Sequence, residues 1–213
     1  MTSSPLRSIS FPKIFLASKS PRRHALLKII TSNFEVVPLE VDESFDSELP
    51  PQEVVQMLSK RKAIAAAASL KLSTEWILSA DTIVVLGAEI LNKPSTVEEA
   101  KAMLTKLSGN HHLVFTGFTL LKSEQGELVL HTAYESTEVY FKPLSVQEIE
   151  DYIRYAKPFD KAGSYGIQDD FGACFIPKIN GCYYNVVGLP ISRLYREMNV
   201  FFQMPVRVSK EKR

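Results

Sequence analysis

The segment SKSPRR, at residues 18–23, carries the first residues whose types and spacing suggest chemistry. An apolar run precedes it and apolar residues recur at helical spacing after it, which predicts a helix capped by Ser20 with Pro21 at its first position. The free N–H groups and the dipole at such a helix start favour an anion. Four side chains can add hydrogen bonds to a phosphate there: Ser18, Ser20, Arg22 and Arg23.

A structural explanation of the same segment is that Ser20 and Pro21 cap a helix whose arginines face solvent. The distribution of charge favours the anion site instead. No Asp or Glu precedes Glu35, whereas six Lys and Arg residues do. Because cations at a helix N-terminus are unfavourable unless an anion joins them, this imbalance predicts a bound phosphate.

Two carboxylates are candidates for catalysis or metal binding. Asp81 interrupts an otherwise apolar strand pattern, where an ionised group is costly unless it is paired or binds a metal. The alternative is a structural Asp81 that is satisfied by Thr82 and backbone amides. Glu43 lies in an acidic loop, and such loops are usually only solvated. A second carboxylate is nevertheless what a Mg²⁺ ion bridging phosphates requires.

Several polar residues further along the chain could complete a cleft. Lys93 precedes a proline in a loop and Lys62 falls on a predicted helix face, although both types are more often surface lysines. The segment DKAGSYGIQ, at residues 160–168, has glycines that allow close backbone approach to a ligand, and Gln168 offers a donor and an acceptor suited to a base edge. An ordinary glycine-rich turn is the alternative. The histidines at 111–112 lack metal-ligand spacing, so we predict structural roles for them.

The bulk composition is that of an ordinary globular protein. The chain has 213 residues, 45% hydrophobic and 23% charged, with a net charge of +1, which argues against binding of duplex DNA or of an anionic membrane. Cys174 and Cys182 suggest reduced thiols. No apolar run approaches a membrane span, and the acid-free N-terminus is too short for a convincing transit peptide, so the cytoplasm is expected. Motifs of P-loop, dinucleotide-binding and α/β-hydrolase proteins are absent from the sequence.

Helical and strand patterns alternate along the chain. They predict an α/β fold, with a mixed β-sheet, flanking helices and two lobes around a central cleft. The expected organisation is a loose tail at 1–11, a single domain at 12–203 and a basic tail at 204–213. Local signals comprise a helix over 51–70, capping boxes at Thr96 and Ser145, a turn at 125–126, a hairpin at Asn180-Gly181 and a last helix starting at Pro190.

These motifs, taken in order, resemble the Maf family of nucleotide pyrophosphatases, whose fold is ITPase-like, of the Maf/Ham1 type. The resemblance extends over roughly residues 12–200. The matching segments are LASKSPRR (16–23), VDE (41–43), RKA (61–63), SADTIV (79–84), NKP (92–94), LSG (107–109) with His112 and Thr116-Gly117, DKAGSYGIQ (160–168), ING (179–181) and NVVGLP (185–190).

The resemblance implies hydrolysis of a nucleoside triphosphate between its α and β phosphates. Asp81 would accept a proton from the attacking water or bind the metal that ionises it, and Glu43 would share that metal, Mg²⁺ or Mn²⁺. Arg23, Lys62 and Lys93 would hold the triphosphate, with the serines at 18 and 20 beside them. The residues expected to bear on base selection are Arg22, Thr82 and Gln168.

Within the family, DKAGSYGIQ resembles the branch acting on dTTP, UTP and modified pyrimidine triphosphates, with a role in cleaning the nucleotide pool. A cytoplasmic homodimer without a specific nucleic-acid partner is also implied. The chain departs from the family pattern at Lys19, Ser79 and the acidic pair at 169–170. Two alternatives stay open: a non-catalytic nucleotide- or nucleic-acid-binding regulator of cell division, and a phosphomonoesterase.

Overall fold

A computed structural model describes residues 11–70, 76–124, 127–169 and 171–202. Residues 1–10 of the predicted N-terminal tail, the predicted basic tail at 204–213, the turn at 125–126 and Asp170 therefore lie outside the described residues. The six α-helices of the described part are α1 Pro21–Ile30, α2 Pro51–Leu70, α3 Val97–Leu107, α4 Val146–Ala156, α5 Tyr183–Val187 and α6 Ile191–Phe201. Two 3-10 helices follow α4, at Ala162–Ser164 and Gly172–Phe175.

Seven strands among the described residues form one mixed sheet, which confirms the predicted α/β class. They are β1 Ile14–Ala17, β2 Phe34–Val36, β3 Trp76–Leu86, β4 Glu89–Leu91, β5 His111–Glu124, β6 Glu127–Tyr140 and β7 Lys178–Asn180. Their order is β2-β1-β3-β5-β6-β7, and β4 pairs with the end of β3. The pairs β1–β2 and β1–β3 are parallel, while the other pairs are antiparallel.

The strand β3 lies at the centre of this sheet and carries Asp81 in its middle. Its apolar residues point to both faces and are almost all buried, as expected of a strand that is covered on both sides. Asp81 is directly opposite Gly117 of β5. A side chain at Gly117 would come within 2.5 Å of the backbone of Val55, so this glycine allows α2 to pack closely on the sheet. Close packing of α2 places Lys62 beside Asp81.

Local signals predicted most helix starts. Ser20 accepts from the backbone N–H of Arg23, and Ser145 forms the complete capping box with Glu148. The box at Thr96 is only half as predicted, because the Glu99 carboxylate accepts from the N–H of Ser95 instead of Thr96. The last helix begins one residue after its predicted start, with Pro190 as the N-cap residue.

Two expectations from the sequence are wrong. Asn180-Gly181 ends β7 and leads through Cys182 into α5, so no hairpin forms there. The hydroxyl of Thr137 accepts from the N–H of Cys182 at 3.0 Å and donates to its carbonyl at 3.1 Å, which fixes the chain where the second hairpin strand was expected. Phe11, which we placed in the loose tail, is 4% exposed and packs edge-on against Tyr195 and Phe202.

Within the described residues, no helix is long and apolar enough to cross a membrane. The two cysteines are free thiols, as the sequence suggested.

Candidate active site

A polar cleft brings together residues from both ends of the chain. One wall is the start of α1, and we call it the phosphate wall because a phosphate is expected there. The floor of the cleft is β3, and its far wall is the loop after α4. All ten residues singled out from the sequence line this cleft or its adjoining hollows: Ser18, Ser20, Arg22, Arg23, Glu43, Lys62, Asp81, Thr82, Lys93 and Gln168. Two adjoining hollows form the cleft and enclose about 670 Å³ and 730 Å³, including their open mouths.

The turn before α1 is organised by its own serines. The hydroxyl of Ser18 accepts from the N–H of Ser20 at 3.1 Å, and the Ser20 hydroxyl accepts from the N–H of Arg23 at 3.5 Å. The first turn of α1 contains no acidic residue. The positive end of the helix dipole therefore faces the cleft without an acidic side chain from its own turn, as an anion site requires.

Arg23 is fixed by hydrogen bonds beneath this turn. Its Nε donates to the carbonyl of Gly188 at 2.9 Å, and its Nη2 donates to the hydroxyl of Thr82, also at 2.9 Å. Burial lowers the pKa of the Arg23 guanidinium, while the carboxylates of Asp81 and Glu43 act in the opposite direction. One end of the guanidinium is thus held by protein, and the remaining N–H groups are available to a ligand.

Lys62 joins the two candidate carboxylates. Its ammonium contacts Oδ1 of Asp81 directly and lies 2.6 Å from Oε1 of Glu43. The side chains of Lys62 and Asp81 are only 13% and 11% exposed. Partial burial tends to raise the pKa of Glu43, but the hydrogen bond from Lys62 and the charges of Lys62, Lys93 and Arg23 hold this pKa below its usual range.

Arg61, the residue before Lys62, holds the loop that presents Glu43. Its Nη1 donates to the carbonyl of Asp42 and, at 2.9 Å, to the carbonyl of Ser44. The Asp42 carboxylate in turn accepts from the N–H and hydroxyl of Ser44. The backbone is therefore clamped on both sides of Glu43, because α2 supplies Arg61 and Lys62 to the same loop.

Arg22 crosses the cleft to the opposite wall. Its Nη1 lies 2.6 Å from Oδ2 of Asp160, and its Nη2 donates to the Asp160 carbonyl at 3.3 Å. Lys93 is more exposed than Lys62, and its Nζ lies 3.9 Å from Oε2 of Glu43. Lys19, one of the residues at which the chain departs from the pattern of the family that it resembles, forms an ion pair with Glu40. Its charge is thereby balanced by the neighbouring loop.

The end of the cleft away from the carboxylates combines apolar walls with polar groups. Val84, Val114, Val187 and Tyr165 line it, together with Gln168. The Tyr165 hydroxyl lies 2.7 Å from Nε2 of the buried His112. This contact gives His112 a structural role, as predicted. An apolar lining with one amide group is suited to a planar heterocycle.

Thr82 lies between the two ends of the cleft. Besides accepting from Arg23, its hydroxyl is 2.9 Å from that of Thr116, which donates to the carbonyl of Asn185 at 3.0 Å. Since the Thr116 proton is used by Asn185, Thr82 donates to Thr116. Thr82 therefore fixes Arg23 in this arrangement, and its predicted part in base selection stays a prediction.

Asp81 and Glu43 are the candidate ligands of a divalent metal in the cleft. No group of three or more His, Cys, Asp and Glu side chains in the described ranges could hold one. Asp81 and Glu43 nevertheless share one cation, the Lys62 ammonium, so their oxygens already converge on a positive charge. Mg²⁺ is commonly bound by one or two carboxylates together with substrate phosphates. The residues present fit a metal that arrives with a phosphate ligand.

Reasoning from single residues missed several members of the cleft. Asp160 and Lys161 belong to a segment that the sequence had singled out, but their charges gave no sign of their partners. Arg61 and Tyr165 resembled ordinary helix and turn residues. Gly188 contributes a backbone carbonyl, which side-chain types cannot indicate.

Comparisons with known proteins find relatives that match most of the chain. The sequence model of the family described as Maf-like protein matches residues 13–201. The dTTP/UTP pyrophosphatase of Carboxydothermus hydrogenoformans is 50% identical over 87% of this chain and 97% of its own. The enzyme of the same name from Chlorobaculum tepidum is 45% identical over 91% and 97%, and that from Bacillus cereus strain ATCC 14579 is 47% identical over 89% and 95%.

A solved structure, that of the Staphylococcus aureus Ham1 protein, is similar over 61% of this chain and 71% of its own. Its TM-score is 0.42 at 15% identity. The match to the family model and the identities of 45–50% across nearly the whole of each relative are decisive. This chain belongs to the Maf family.

Proposed function

We propose that this protein is a nucleoside triphosphate pyrophosphatase that hydrolyses dTTP, UTP and modified pyrimidine triphosphates to the monophosphate and pyrophosphate. The observation that carries the proposal is the cluster of Asp81, Lys62 and Glu43, placed between the start of α1 and Lys93. A base and several cations in one cleft are what cleavage of a phosphoanhydride needs. The three relatives described above carry the name dTTP/UTP pyrophosphatase.

The triphosphate would lie along the cations. Arg23 and Lys93 flank the carboxylate cluster, and the N–H groups at the start of α1 face the same space. A triphosphate carries about four negative charges, so these groups neutralise it as charge shifts to the leaving pyrophosphate. Little covalent work is required of the protein, since positioning and electrostatics dominate such reactions.

Asp81 would act as the base. A water molecule attacks the α-phosphorus, its proton passes to the Asp81 carboxylate, and the bond from the α-phosphorus to the bridging oxygen breaks, so that pyrophosphate leaves with the electron pair. Lys62 holds the Asp81 carboxylate in place. The position of Asp81 in the middle of β3, the central strand, makes that carboxylate rigid.

Glu43 and Asp81 would hold the divalent metal, Mg²⁺ or Mn²⁺. When bound with substrate oxygens, such an ion neutralises phosphate charge and favours ionisation of a nearby water. Lys62, whose ammonium contacts both carboxylates, would be the cation next to this metal.

The base would enter the apolar end of the cleft, with Gln168 at its edge. Arg22 and Thr82 link this end to the phosphate wall. The cytoplasmic location and the homodimer implied by the family resemblance stay predictions, as does the lack of a specific nucleic-acid partner.

The proposal is tested by product analysis with dTTP, UTP, CTP, GTP and 7-methyl-GTP in Mg²⁺ or Mn²⁺. A pyrophosphatase releases pyrophosphate and a monophosphate, whereas a phosphomonoesterase releases free phosphate. Salt-dependent DNA binding that Asp81→Asn leaves unchanged, without pyrophosphate release, would instead support the non-catalytic regulator.

A further inference from the structure

We infer that Asp169 fixes the orientation of the Gln168 carboxamide, and that this orientation makes the site prefer uracil and thymine over cytosine. The inference rests on the proposed function, because it assumes that a pyrimidine triphosphate occupies the cleft. Asp169 is a positioning residue in this account, since it acts through Gln168. It is also one of the two acidic residues by which this chain departs from the family pattern.

The contact between the side chains of Gln168 and Asp169 determines which end of the amide faces the carboxylate. Nε2 of Gln168 lies 2.7 Å from Oδ1 of Asp169. A carboxylate only accepts hydrogen bonds, so the Gln168 atom that faces it must be the amide nitrogen. An amide with free surroundings could exchange its nitrogen and oxygen at little cost, whereas this one loses a charge-assisted hydrogen bond if it flips.

Asp169 is itself held from several directions. Its Oδ2 lies 3.0 Å from the ammonium of Lys161, whose side chain is 11% exposed. Its N–H donates to the carbonyl of Gly166 at 3.2 Å, and its own carbonyl accepts from Ala173 at 3.1 Å. A Cβ at Gly166 would collide with the Asp169 carboxylate, so the glycine allows this close approach. The carboxylate is therefore a fixed acceptor.

The contacts that hold Asp169 continue across the cleft to the start of α1. Lys161 also lies 2.8 Å from Oδ1 of Asp160, and the other oxygen of Asp160 receives Arg22. Charged contacts thus run from α1 across the cleft to Gln168. Because the triphosphate would be held at the start of α1, the hydrogen-bonding edge of the base would meet Gln168 in one orientation.

Base chemistry then decides the preference. With one N–H of Nε2 used by Asp169, Gln168 presents its oxygen as an acceptor and a second N–H as a donor. Uracil and thymine offer an N–H at N3 beside a carbonyl at C4, so this pair of groups is complementary to them. Cytosine has an acceptor at N3 and an amino group at C4, and it requires the amide to be reversed.

The experiment measures the dissociation constants of UTP and CTP by calorimetry in EDTA, where hydrolysis does not interfere. The wild type is expected to bind UTP at least about tenfold more tightly than CTP. Asp169→Asn supplies either an oxygen or a nitrogen to Gln168, so the CTP/UTP ratio of dissociation constants should fall about tenfold, mainly through tighter CTP binding. Asp169→Ser, whose hydroxyl donates or accepts, is expected to behave alike and serves if the first variant does not fold.

The matched control repeats Asp169→Asn in a Gln168→Ala background. In that background the substitution should leave the CTP/UTP ratio of dissociation constants within about twofold of its value in Gln168→Ala alone, because the residue on which Asp169 acts is gone. An unchanged ratio in the Asp169→Asn protein overturns the inference, as does an equal shift in both backgrounds or a wild type that binds CTP as well as UTP. If the wild type prefers UTP and Asp169→Asn lowers the ratio as expected, but no triphosphate yields pyrophosphate, the proposed function fails and the inference stands.

Discussion

The ammonium of Lys62 lies between the carboxylates of Asp81 and Glu43, in direct contact with the first and 2.6 Å from the second. This one side chain joins β3, α2 and the loop before α2. It keeps two carboxylates close together that would otherwise repel each other. Two carboxylates that share one cation are also the ligands that a divalent metal with a bound phosphate would use.

Lys62→Gln should therefore damage both activity and stability. The change leaves Asp81 nearly buried without its charged partner, which we expect to lower the free energy of unfolding by about 3 kcal/mol. The rate of pyrophosphate release should fall by about 100-fold, because a preorganised cation is lost. Denaturant titration and steady-state kinetics measure the two effects. Lys60→Gln, an exposed lysine on the same helix, is the control and should change neither.

Arg61→Gln should weaken the binding of the metal by the enzyme rather than the stability of its fold. The guanidinium clamps the carbonyls of Asp42 and Ser44 on either side of Glu43. Loss of such a supporting contact is expected to raise the Mg²⁺ concentration for half-maximal activity by about tenfold. Arg61→Lys should recover part of the effect, and an unchanged Mg²⁺ requirement in Arg61→Gln would refute the role.

Gly117→Ala should loosen the packing beneath the site. The added methyl group would come within 2.5 Å of the Val55 backbone, so α2 must shift away from β5. We expect a loss of about 1–3 kcal/mol in the free energy of unfolding. Because Lys62 is on α2, activity should fall as well. A stability within about 0.5 kcal/mol of the wild type would show that the helix can move without cost.

His112 should make stability depend on acid pH. Burial, with a smaller contribution from His111, lowers the pKa of His112 from 6.5 to about 4. The unfolded chain therefore binds a proton more readily, so the full contribution is present above pH 6.5 and is lost as pH falls toward 4, by about 3 kcal/mol at most. His112→Gln should flatten the stability profile over this range, measured by denaturant titration. The exposed His111→Gln should not, and equal profiles for wild type and His112→Gln would contradict the assignment.

Local chemistry is what the sequence could reveal. Ser20 with Pro21 predicted a helix start, and Asp81 stood out because a charge in an apolar strand is costly. The Asn180-Gly181 signal was equally local but wrong. Thr137, far away along the chain, holds both backbone groups of Cys182 and directs the chain into α5.

The pairings inside the cleft could not be predicted in the same way. Arg22 and Asp160 are 138 residues apart, and Arg23 reaches the Gly188 carbonyl across 165 residues. These contacts depend on how the sheet and the loop after α4 come together. Lys19 is another example, because its ion-pair partner Glu40 is 21 residues away in a loop whose position the sequence did not predict.

The most direct test of the central claim is to quantify pyrophosphate and free phosphate released from dTTP and UTP by the wild type and by Asp81→Asn, with Mg²⁺. We expect the wild type to release one pyrophosphate for each monophosphate formed. The Asp81→Asn protein should fold normally and react at least about 100-fold more slowly, since its general base is missing. A wild type as inactive as the variant toward every triphosphate, or one that releases only free phosphate, would contradict the account.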